Sequence, residues 1–298
     1  MISLKYIVLA GPTGVGKTDL VIEIAQKLEL EIVGADAFQI YAGLEILTAK
    51  PTSNQLSSVP HHLIGVLPLT ESCDAHRYGQ LATQTVEALN ARGISPLVSG
   101  GTGFYLEALA GALSNLPPTD PRIRAELEIQ PIGELLERLN SLDPCAAQTI
   151  DRRNRRRLIR ALEVCLITQK PFSSFRADVT TASTPPRFWL DRPRTELFTR
   201  INRRVDQMFE RGVVEEVRNI SKIGPTASQA IGFRQIRTHL DGKLSETDCR
   251  NEIKQLTRHY AKRQVTWFRN RGFLPVSADQ PAEKIIETIQ RDQLESTD

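Results

Sequence analysis

Eight residues near the start of the chain have the spacing of a phosphate-binding loop. Residues 11–18 read GPTGVGKT and match the pattern G-x-x-x-x-G-K-[ST] at every fixed position. An apolar run at 5–10 precedes them and an amphipathic stretch at 19–28 follows, which predicts a strand and a helix. Backbone N–H groups in such a loop surround phosphate oxygens, and the helix N-terminus favours their negative charge. We therefore predict a diphosphate or triphosphate site made by Gly11, Pro12, Thr13, Gly14, Val15, Gly16, Lys17 and Thr18.

The loop alone does not specify the phosphate compound. Lys17 is predicted to reach the terminal phosphates and Thr18 to hold Mg²⁺ through its hydroxyl. An ATP or GTP enzyme is the default interpretation, and it requires a further strand that ends in an aspartate to help hold the metal. The apolar run at 94–98 instead continues as Ser99-Gly100-Gly101-Thr102, without an acid.

Asp36 is the acidic residue at the end of a predicted core strand, residues 31–35. A carboxylate in this position could bind a metal, take a proton from a nucleophile, or cap the turn that follows. Its place beside the phosphate loop favours chemistry over capping, but the residues alone leave the three roles open.

Two segments are strongly basic. Residues 151–160 read DRRNRRRLIR, with six arginines in ten positions. The second segment, 250–271, carries Arg250, Lys254, Arg258 and Lys262 at intervals of four, which places them in one stripe on a helix. Like charges in a row repel one another, and a nucleic-acid backbone would relieve that repulsion through counterion release. Nucleic-acid binding is therefore favoured over a solvated face.

Three aromatic residues are interleaved with the second basic segment: Tyr260, Trp267 and Phe268. For their side chains, burial is favoured over stacking on bases.

The elements that must position these residues alternate between strands and helices. Apolar runs at 5–10, 31–35 and 94–99 are separated by helical stretches, which indicates βαβ units and a parallel sheet whose carboxyl ends converge on one site. We predict an α/β fold with a P-loop-type parallel sheet core flanked by helices and a mainly helical insertion domain. The predicted boundaries are 1–117 and 196–278 for the catalytic core, 118–195 for the helical insertion, and 279–298 for an acidic, solvated C-terminal tail.

Composition excludes several classes of protein. In 298 residues, 40% are hydrophobic and 24% charged, which is typical of a globular chain, and no apolar run approaches the ~20 residues of a membrane span. The cysteines Cys73, Cys145, Cys165 and Cys249 are far apart, which disfavours zinc and disulfide frameworks. We expect a cytoplasmic protein that does not bind membranes, and nothing in the sequence requires more than a monomer.

Motifs along most of the chain resemble those of one family. They comprise the loop GPTGVGKT, DAFQIY at 36–41, TAKP at 48–51 with PHHLI at 60–64, GGTGFY at 100–105, Asn154 and Arg157 with RALE at 160–163, QAIGFR at 229–234, and KRQVTWF at 262–268. In this order they resemble the tRNA dimethylallyltransferases, also called tRNA isopentenyltransferases. The resemblance runs from about residue 7 to residue 272.

The resemblance implies an enzyme that transfers a dimethylallyl group from dimethylallyl diphosphate to N6 of the adenosine next to the anticodon, position 37 of tRNA, and releases diphosphate. It implies tRNA and dimethylallyl diphosphate as partners and Mg²⁺ as cofactor. Lys17, Thr18 with Mg²⁺, and Arg204 would stabilise the departing diphosphate. Asp36 would take the proton of the attacking amine.

The predicted tRNA-binding residues follow from the same motifs and from the family positions that match them. They are Asp36, Ala37, Phe38, Gln39, Thr102, Arg124, Arg156, Arg157, Leu158, Ile159, Arg160, Arg234, Lys262 and Arg263. Ala37 departs from the family pattern, which has serine at this position, so we expect no direct role for its side chain. Residues 71–78 also diverge, which makes Cys73 and His76 poor candidates for chemistry.

Two other functions account for part of the sequence. A P-loop small-molecule kinase, with ATP at the loop, shares the loop and the parallel sheet but leaves the basic segments unexplained. A non-enzymatic RNA-binding protein accounts for the basic segments but not for an intact Lys17 and Thr18.

Overall fold

Six short strands form one sheet in the computed structural model, which describes residues 5–113, 116–175 and 187–295. The sheet order is β3-β2-β4-β1-β5-β6, and all neighbouring strands are parallel. The predicted α/β class with a parallel sheet is confirmed. The strands are β1 (Ile7–Ala10), β2 (Ile32–Ala35), β3 (His61–His62), β4 (Leu97–Gly100), β5 (Arg187–Asp191) and β6 (Leu274–Ser277).

Both faces of the sheet are covered, which explains why its central strands are continuously apolar rather than alternating. Successive side chains of a strand point to opposite faces. In β1, Val8 belongs to one buried cluster with Trp189 and Phe268, whereas Leu9 belongs to another with Phe188.

Helices cover the sheet and connect its strands. Those of the core are α1 (Lys17–Lys27), α2 (Ser53–Ser58), α3 (Ala75–Ala91), α4 (Gly103–Leu109), α9 (Arg194–Glu210), α10 (Val213–Arg218), α11 (Phe233–Leu240), α12 (Glu246–Arg269) and α13 (Ala282–Glu295), with a 3₁₀ turn at Ala227–Gln229. Among the helices of the described ranges, none has the length and hydropathy needed to cross a membrane.

The chain divides into two units. Met1–Gly111 and Ser183–Asp298 form the first, and Ala112–Ala182 forms the second. The second unit therefore differs at both ends from the predicted insertion, whose boundaries are 118 and 195. Residues 187–191 belong to the first unit because β5 pairs with β1 and β6 in the middle of the sheet.

The second unit is helical, as the sequence predicts for most of 118–195. Leu127, Leu135, Leu139, Leu158 and Leu162 are buried in a core of its own. Its helices are α5 (Pro121–Glu128), α6 (Ile132–Leu142), α7 (Pro144–Thr149) and α8 (Arg155–Thr168), followed by a 3₁₀ turn at Phe172–Phe175.

The predicted solvated tail, 279–298, is corrected in its described part. Helix α13 begins there, and Ile285 and Ile289 are fully buried in the cluster that includes Val21 and Ile24 of α1. The acidic residues occupy the other side of an amphipathic helix, so the net charge of the segment concealed its buried face.

Candidate active site

The phosphate-binding sequence forms a tight turn between β1 and α1. Gly14 and Gly16 have φ angles of 82° and 98°, in the left-handed region that favours glycine. Gly16 precedes α1, and no side chain caps the first turn of this helix. The N–H groups of that turn are therefore oriented to receive an anion.

Three basic side chains hold the loop from its carbonyl side. Arg192 Nε donates to the Val15 carbonyl at 3.1 Å, Arg200 Nε to the Gly14 carbonyl at 3.0 Å, and Lys17 Nζ to the Gly11 carbonyl at 3.0 Å. Arg192 follows β5 and Arg200 lies on α9, which are brought to the loop because β5 is the sheet neighbour of β1. The sequence analysis did not identify Arg192 or Arg200, since neither lies within a local motif.

Arg204 reaches the same loop one turn further along α9, as the sequence predicts for the diphosphate site. Its Nη1 donates to Thr13 Oγ1 at 3.1 Å, and its Nη2 donates to the Thr48 carbonyl at 3.2 Å. Gln39 Nε2 donates to the same Thr48 carbonyl and to that of Ala49, both at 3.1 Å. Arg204 thus joins the loop to the segment that follows β2.

Lys17, Arg204 and Asp36 form one electrostatic cluster. Burial lowers the pKa of Lys17 to about 8, while the Asp36 carboxylate raises it and the Arg204 charge lowers it further. Burial also lowers the pKa of Arg204, again against the opposing effect of Asp36. Two half-buried cations lie near one half-buried carboxylate, which makes the cluster attractive to an anion.

Asp36 caps its own turn and retains a second oxygen. Its Oδ1 accepts from the backbone N–H groups of Phe38 at 2.9 Å and Gln39 at 3.2 Å. Across residues 5–113, 116–175 and 187–295, no donor lies within hydrogen-bonding distance of Oδ2. Capping and proton transfer are therefore compatible roles for one carboxylate.

Thr102 connects the end of β4 to Asp36 because β4 and β2 are sheet neighbours. The Thr102 N–H donates to the Ala35 carbonyl at 3.1 Å, and its Oγ1 accepts from the Ala37 N–H at 3.0 Å. The pKa of Tyr260 on α12 is raised by burial and then by the charge of Asp36, against the opposing effect of the Thr102 side chain. The Tyr260 hydroxyl therefore stays protonated beside Asp36, a position that the sequence analysis did not anticipate.

Gln264 is a further residue of the site to which the sequence analysis assigned no role. It is 5% exposed and accepts from the Thr13 N–H at 2.9 Å through Oε1. Its Nε2 donates to the Gly101 carbonyl at 2.8 Å. The signal in the sequence is a polar residue on the apolar face of α12, beside Ala261 and Phe268.

The other aromatic residues of α12 belong to the core. Phe268 is fully buried, and Trp267 packs against Phe268 and Phe273 with ring centroids 5.3 Å and 5.6 Å apart. The interpretation as buried residues rather than stacking platforms is therefore correct for Phe268.

The basic stripe on α12 is largely paired within the protein, which corrects its interpretation as a free phosphate-binding surface. Asp206 of α9 lies 3.6 Å from Arg250 and 2.7 Å from Lys254, and Asn202 accepts from Arg258 at 2.6 Å. Glu246 also pairs with Arg250 from within α12, but Asp206 comes from a different helix, so the sequence of the stripe could not reveal that pairing. Lys262 and Arg263 are exposed.

The remaining predicted tRNA-binding residues differ in exposure. Arg234 is exposed on α11, and Arg156 and Arg157 are exposed in the second unit. Leu158 and Ile159 are buried in the core of that unit, so tRNA contact is not supported for these two side chains.

Arg124 and Arg160 share one buried carboxylate in the second unit. Glu163 is fully buried and accepts from Arg124 Nε at 2.9 Å and from Arg160 Nη1 at 2.6 Å. The two guanidinium groups, which are 33% and 24% exposed, are thereby held in fixed orientations.

A basic cavity lies beside the loop in the first unit. It has a volume of about 560 Å³ and its lining includes Arg192, Arg194, Lys262 and Arg269 at the carboxyl ends of β5 and β6. Lys17 and Asp36 do not line the cavity, so it is separate from the electrostatic cluster, but Arg192 lines it and also contacts the Val15 carbonyl of the loop.

Comparisons with known proteins identify relatives along almost the whole chain. The profile of the family "IPP transferase" matches residues 39–271. A tRNA dimethylallyltransferase of Syntrophobacter fumaroxidans is 42% identical over 90% of this chain and 82% of its own. Another, tRNA dimethylallyltransferase 1 of Trichlorobacter lovleyi, is 40% identical over 89% of this chain and 91% of its own.

Solved structures are similar in fold. The tRNA isopentenylpyrophosphate transferase of Bacillus halodurans superposes with a TM-score of 0.71 at 33% identity, covering 99% of this chain and 97% of its own. A eukaryotic dimethylallyltransferase acting on tRNA superposes with a TM-score of 0.82 at 29% identity, covering 98% and 80%. These neighbours confirm the P-loop-type core predicted from the sequence.

The lowered pKa of Lys17 predicts a pH-dependent anion site. Below pH ~8 the ammonium is charged and binds diphosphate; above it, the free protein loses this proton and the contribution of Lys17 to affinity declines. We expect the ratio of the inorganic diphosphate Kd of Lys17→Met to that of the wild type to be largest at pH 7 and to shrink towards pH 9.5. Calorimetry measures both constants, and the ionisation of the ligand cancels in the ratio.

Lys27→Met, on the exposed face of α1, is the matched control and should leave the ratio near one at every pH. A Lys17→Met ratio that stays constant to pH 9.5 would contradict the assignment.

Proposed function

The chain belongs to the IPP transferase family, and on this premise we propose that it transfers a dimethylallyl group from dimethylallyl diphosphate to tRNA. The acceptor atom is N6 of the adenosine next to the anticodon, position 37, and diphosphate is released. The observation that carries the proposal is the cluster of Lys17, Arg204 and Asp36, in which a diphosphate site and a carboxylate are electrostatically coupled. The kinase alternative is not favoured, because the relatives are named transferases of this group to tRNA.

The donor side of the site stabilises a leaving group. When the C1–O bond of the donor breaks, positive charge spreads over the allyl system and negative charge collects on the diphosphate. We expect Lys17, Arg204 and the N–H groups at the start of α1 to stabilise that negative charge, since all of them belong to or contact the phosphate loop. Donors fixed before the reaction stabilise developing charge without reorganisation, which is commonly the largest contribution to catalysis.

The residues present fit the proposed Mg²⁺. Thr18 lies in the first turn of α1 and offers a hydroxyl oxygen, a ligand type that Mg²⁺ accepts. Within the described parts of the chain no three acidic, histidine or cysteine residues gather around one point, so the protein would provide few ligands, as is usual for Mg²⁺ bound to phosphates. When bound, the ion would neutralise charge on the diphosphate.

The acceptor side requires a base, because the adenine amine is a weak nucleophile whose lone pair is delocalised into the ring. As the N6–C1 bond forms, the electrons of the C1–O bond leave with the diphosphate and one N6 proton passes to the Asp36 carboxylate. Two backbone N–H groups fix Asp36 through Oδ1, so Oδ2 is the oxygen available for the proton. The adenine must first leave its stack in the RNA.

Exposed basic residues in both units are proposed to bind the tRNA backbone. They are Arg234, Lys262 and Arg263 in the first unit and Arg156 and Arg157 in the second, together with the oriented guanidinium groups of Arg124 and Arg160. That the enzyme is monomeric and cytoplasmic remains our prediction.

A donor-competition assay tests the proposed function. The protein is incubated with radiolabelled dimethylallyl diphosphate or ATP, with and without tRNA. We expect label from the dimethylallyl donor in RNA and, after hydrolysis, in N6-substituted adenosine. ATP hydrolysis or phosphate transfer without prenylation would instead indicate a kinase, and RNA retention alone would indicate a binding protein.

Asp36→Asn tests the base. The amide keeps the oxygen that caps the turn but cannot accept the proton, so the single-turnover rate should fall by roughly 10²–10⁴, the usual size of a general-base contribution. Donor and tRNA affinities should change less than about tenfold. Rapid-quench kinetics and binding titrations measure these quantities.

The matched control is Asp74→Asn, because Asp74 is also a capping aspartate, whose Oδ1 accepts from the Arg77 N–H at 2.9 Å at the start of α3. Its rate should stay at the wild-type value. If Asp36→Asn retains full chemistry and loses only donor affinity in a Mg²⁺-dependent manner, Asp36 is a metal ligand rather than the base.

Pairing within the protein predicts which basic residues of α12 bind RNA. Lys262→Ala with Arg263→Ala should reduce the slope of log K against log salt for tRNA by about 0.7–0.9 per lost phosphate contact. Arg250→Ala with Lys254→Ala should change the slope far less, because Asp206 and Glu246 already pair with these side chains. Fluorescence titrations at several salt concentrations measure the slopes, and equal reductions for the two pairs would contradict the distinction.

A further inference from the structure

Gln264 is the buried side chain that spans the gap between the phosphate loop and the loop after β4. Both polar atoms of its amide are used: Oε1 accepts from the Thr13 N–H at 2.9 Å, and Nε2 donates to the Gly101 carbonyl at 2.8 Å. Buried polar groups that lose a partner are costly, so each loop depends on this amide.

The two ends of the amide continue into the two halves of the site. On the donor side, the Thr13 hydroxyl accepts from Arg204 at 3.1 Å. On the acceptor side, Gly101 precedes Thr102, whose hydroxyl accepts from the N–H of Ala37 at 3.0 Å, next to Asp36. One series of contacts thus runs from the Arg204 guanidinium through Gln264 to the segment that carries Asp36, and a second, from Arg204 to the Thr48 carbonyl that Gln39 also contacts, does not include Gln264.

The backbone at Gly101 leaves the space that the amide occupies. A Cβ atom at this position would lie 2.2 Å from Gln264 Nε2 and 3.2 Å from the Gly11 carbonyl oxygen. Glycine at 101 is therefore required for Gln264 to reach the carbonyl, and any larger residue would displace the amide.

We propose that Gln264 is a positioning residue that fixes the separation between the donor loop and the Asp36 segment. It touches neither reacting group; it acts through Thr13 and through Gly101. The expected loss of rate rests on the proposed function, because it is measured in the transfer reaction. Misplacement of reactants by about 1 Å can cost roughly 10²-fold in rate.

Gln264→Met removes both hydrogen bonds and keeps the length of the side chain. With the full-length protein, we expect the single-turnover rate at saturating donor and tRNA to fall by roughly 10²-fold. Affinities for inorganic diphosphate and for tRNA should change less than about tenfold. Gln255→Met, at an exposed position of the same helix, should match the wild type.

Gly101→Ala provides a second, independent disruption of the same bridge. If both substitutions act by displacing the amide, the double variant is no slower than the slower single variant, because coupled residues are not additive. Gly133→Ala, where an added Cβ meets nothing within 4 Å, is the control for the glycine change.

Three kinetic outcomes would overturn the proposal: an unchanged rate in Gln264→Met, a loss that disappears at saturating donor, or additive losses in the double variant. A thermal melt checks that the variants are folded at the assay temperature. A rate loss equal to the unfolded fraction would also overturn the proposal, because the role would then be structural.

Amide hydrogen exchange separates this proposal from the proposed function. The measurement requires no substrate, so it shows whether Gln264 connects the two loops even if the wild type transfers no dimethylallyl group. We expect exchange at the Thr13 and Ala37 N–H groups to rise together in Gln264→Met and to stay at the wild-type rate in Gln255→Met. A rise at Thr13 alone, or at neither, would show that Gln264 does not connect the two loops.

Discussion

The partial burial of two cations near one carboxylate is the constraint on which the site depends. Lys17 and Arg204 both have their pKa lowered by burial, and Asp36 offers the opposing charge to each. Excess positive charge in a buried place is unfavourable unless an anion enters. The surrounding contacts, from Arg192 and Arg200 to the loop carbonyls, keep the loop shaped for that anion.

How far the sequence predicts the site depends on the range of the interactions. The phosphate loop is local: its glycines, lysine and threonine are contiguous, so the pattern of 11–18 predicts both its place and its geometry. Asp36 follows from the end of a strand, and Arg204 from the family resemblance. Gln264 lies 251 residues from Thr13 in the chain, so nothing near either residue indicates their contact.

The difference between local and long-range contacts also explains the errors in the predicted fold. Residues 187–191 form β5 of the core sheet, but the predicted boundaries placed them in the insertion, because the strands with which they pair lie far away in the chain. Pairing between α9 and α12 could not be anticipated either, and it divides the basic residues into those that Asp206 neutralises and those that stay exposed. A count of arginines and lysines along a helix does not distinguish the paired residues from the exposed ones, because the pairing depends on the charge of the neighbouring helix.

The position of β1 in the sheet also has a consequence for how the chain acquires its structure. β1 lies between β4 and β5, which the chain supplies at residues 97–100 and 187–191, and the sheet ends at β6, residues 274–277. Contacts between distant parts of a sequence fold slowly, because the entropy of closing a long loop is lost before the contact forms. During synthesis the phosphate loop therefore leaves the ribosome early but obtains its final neighbours only when almost the whole chain is present, whereas helices α5 to α8, which are contiguous in the chain, share a core of their own.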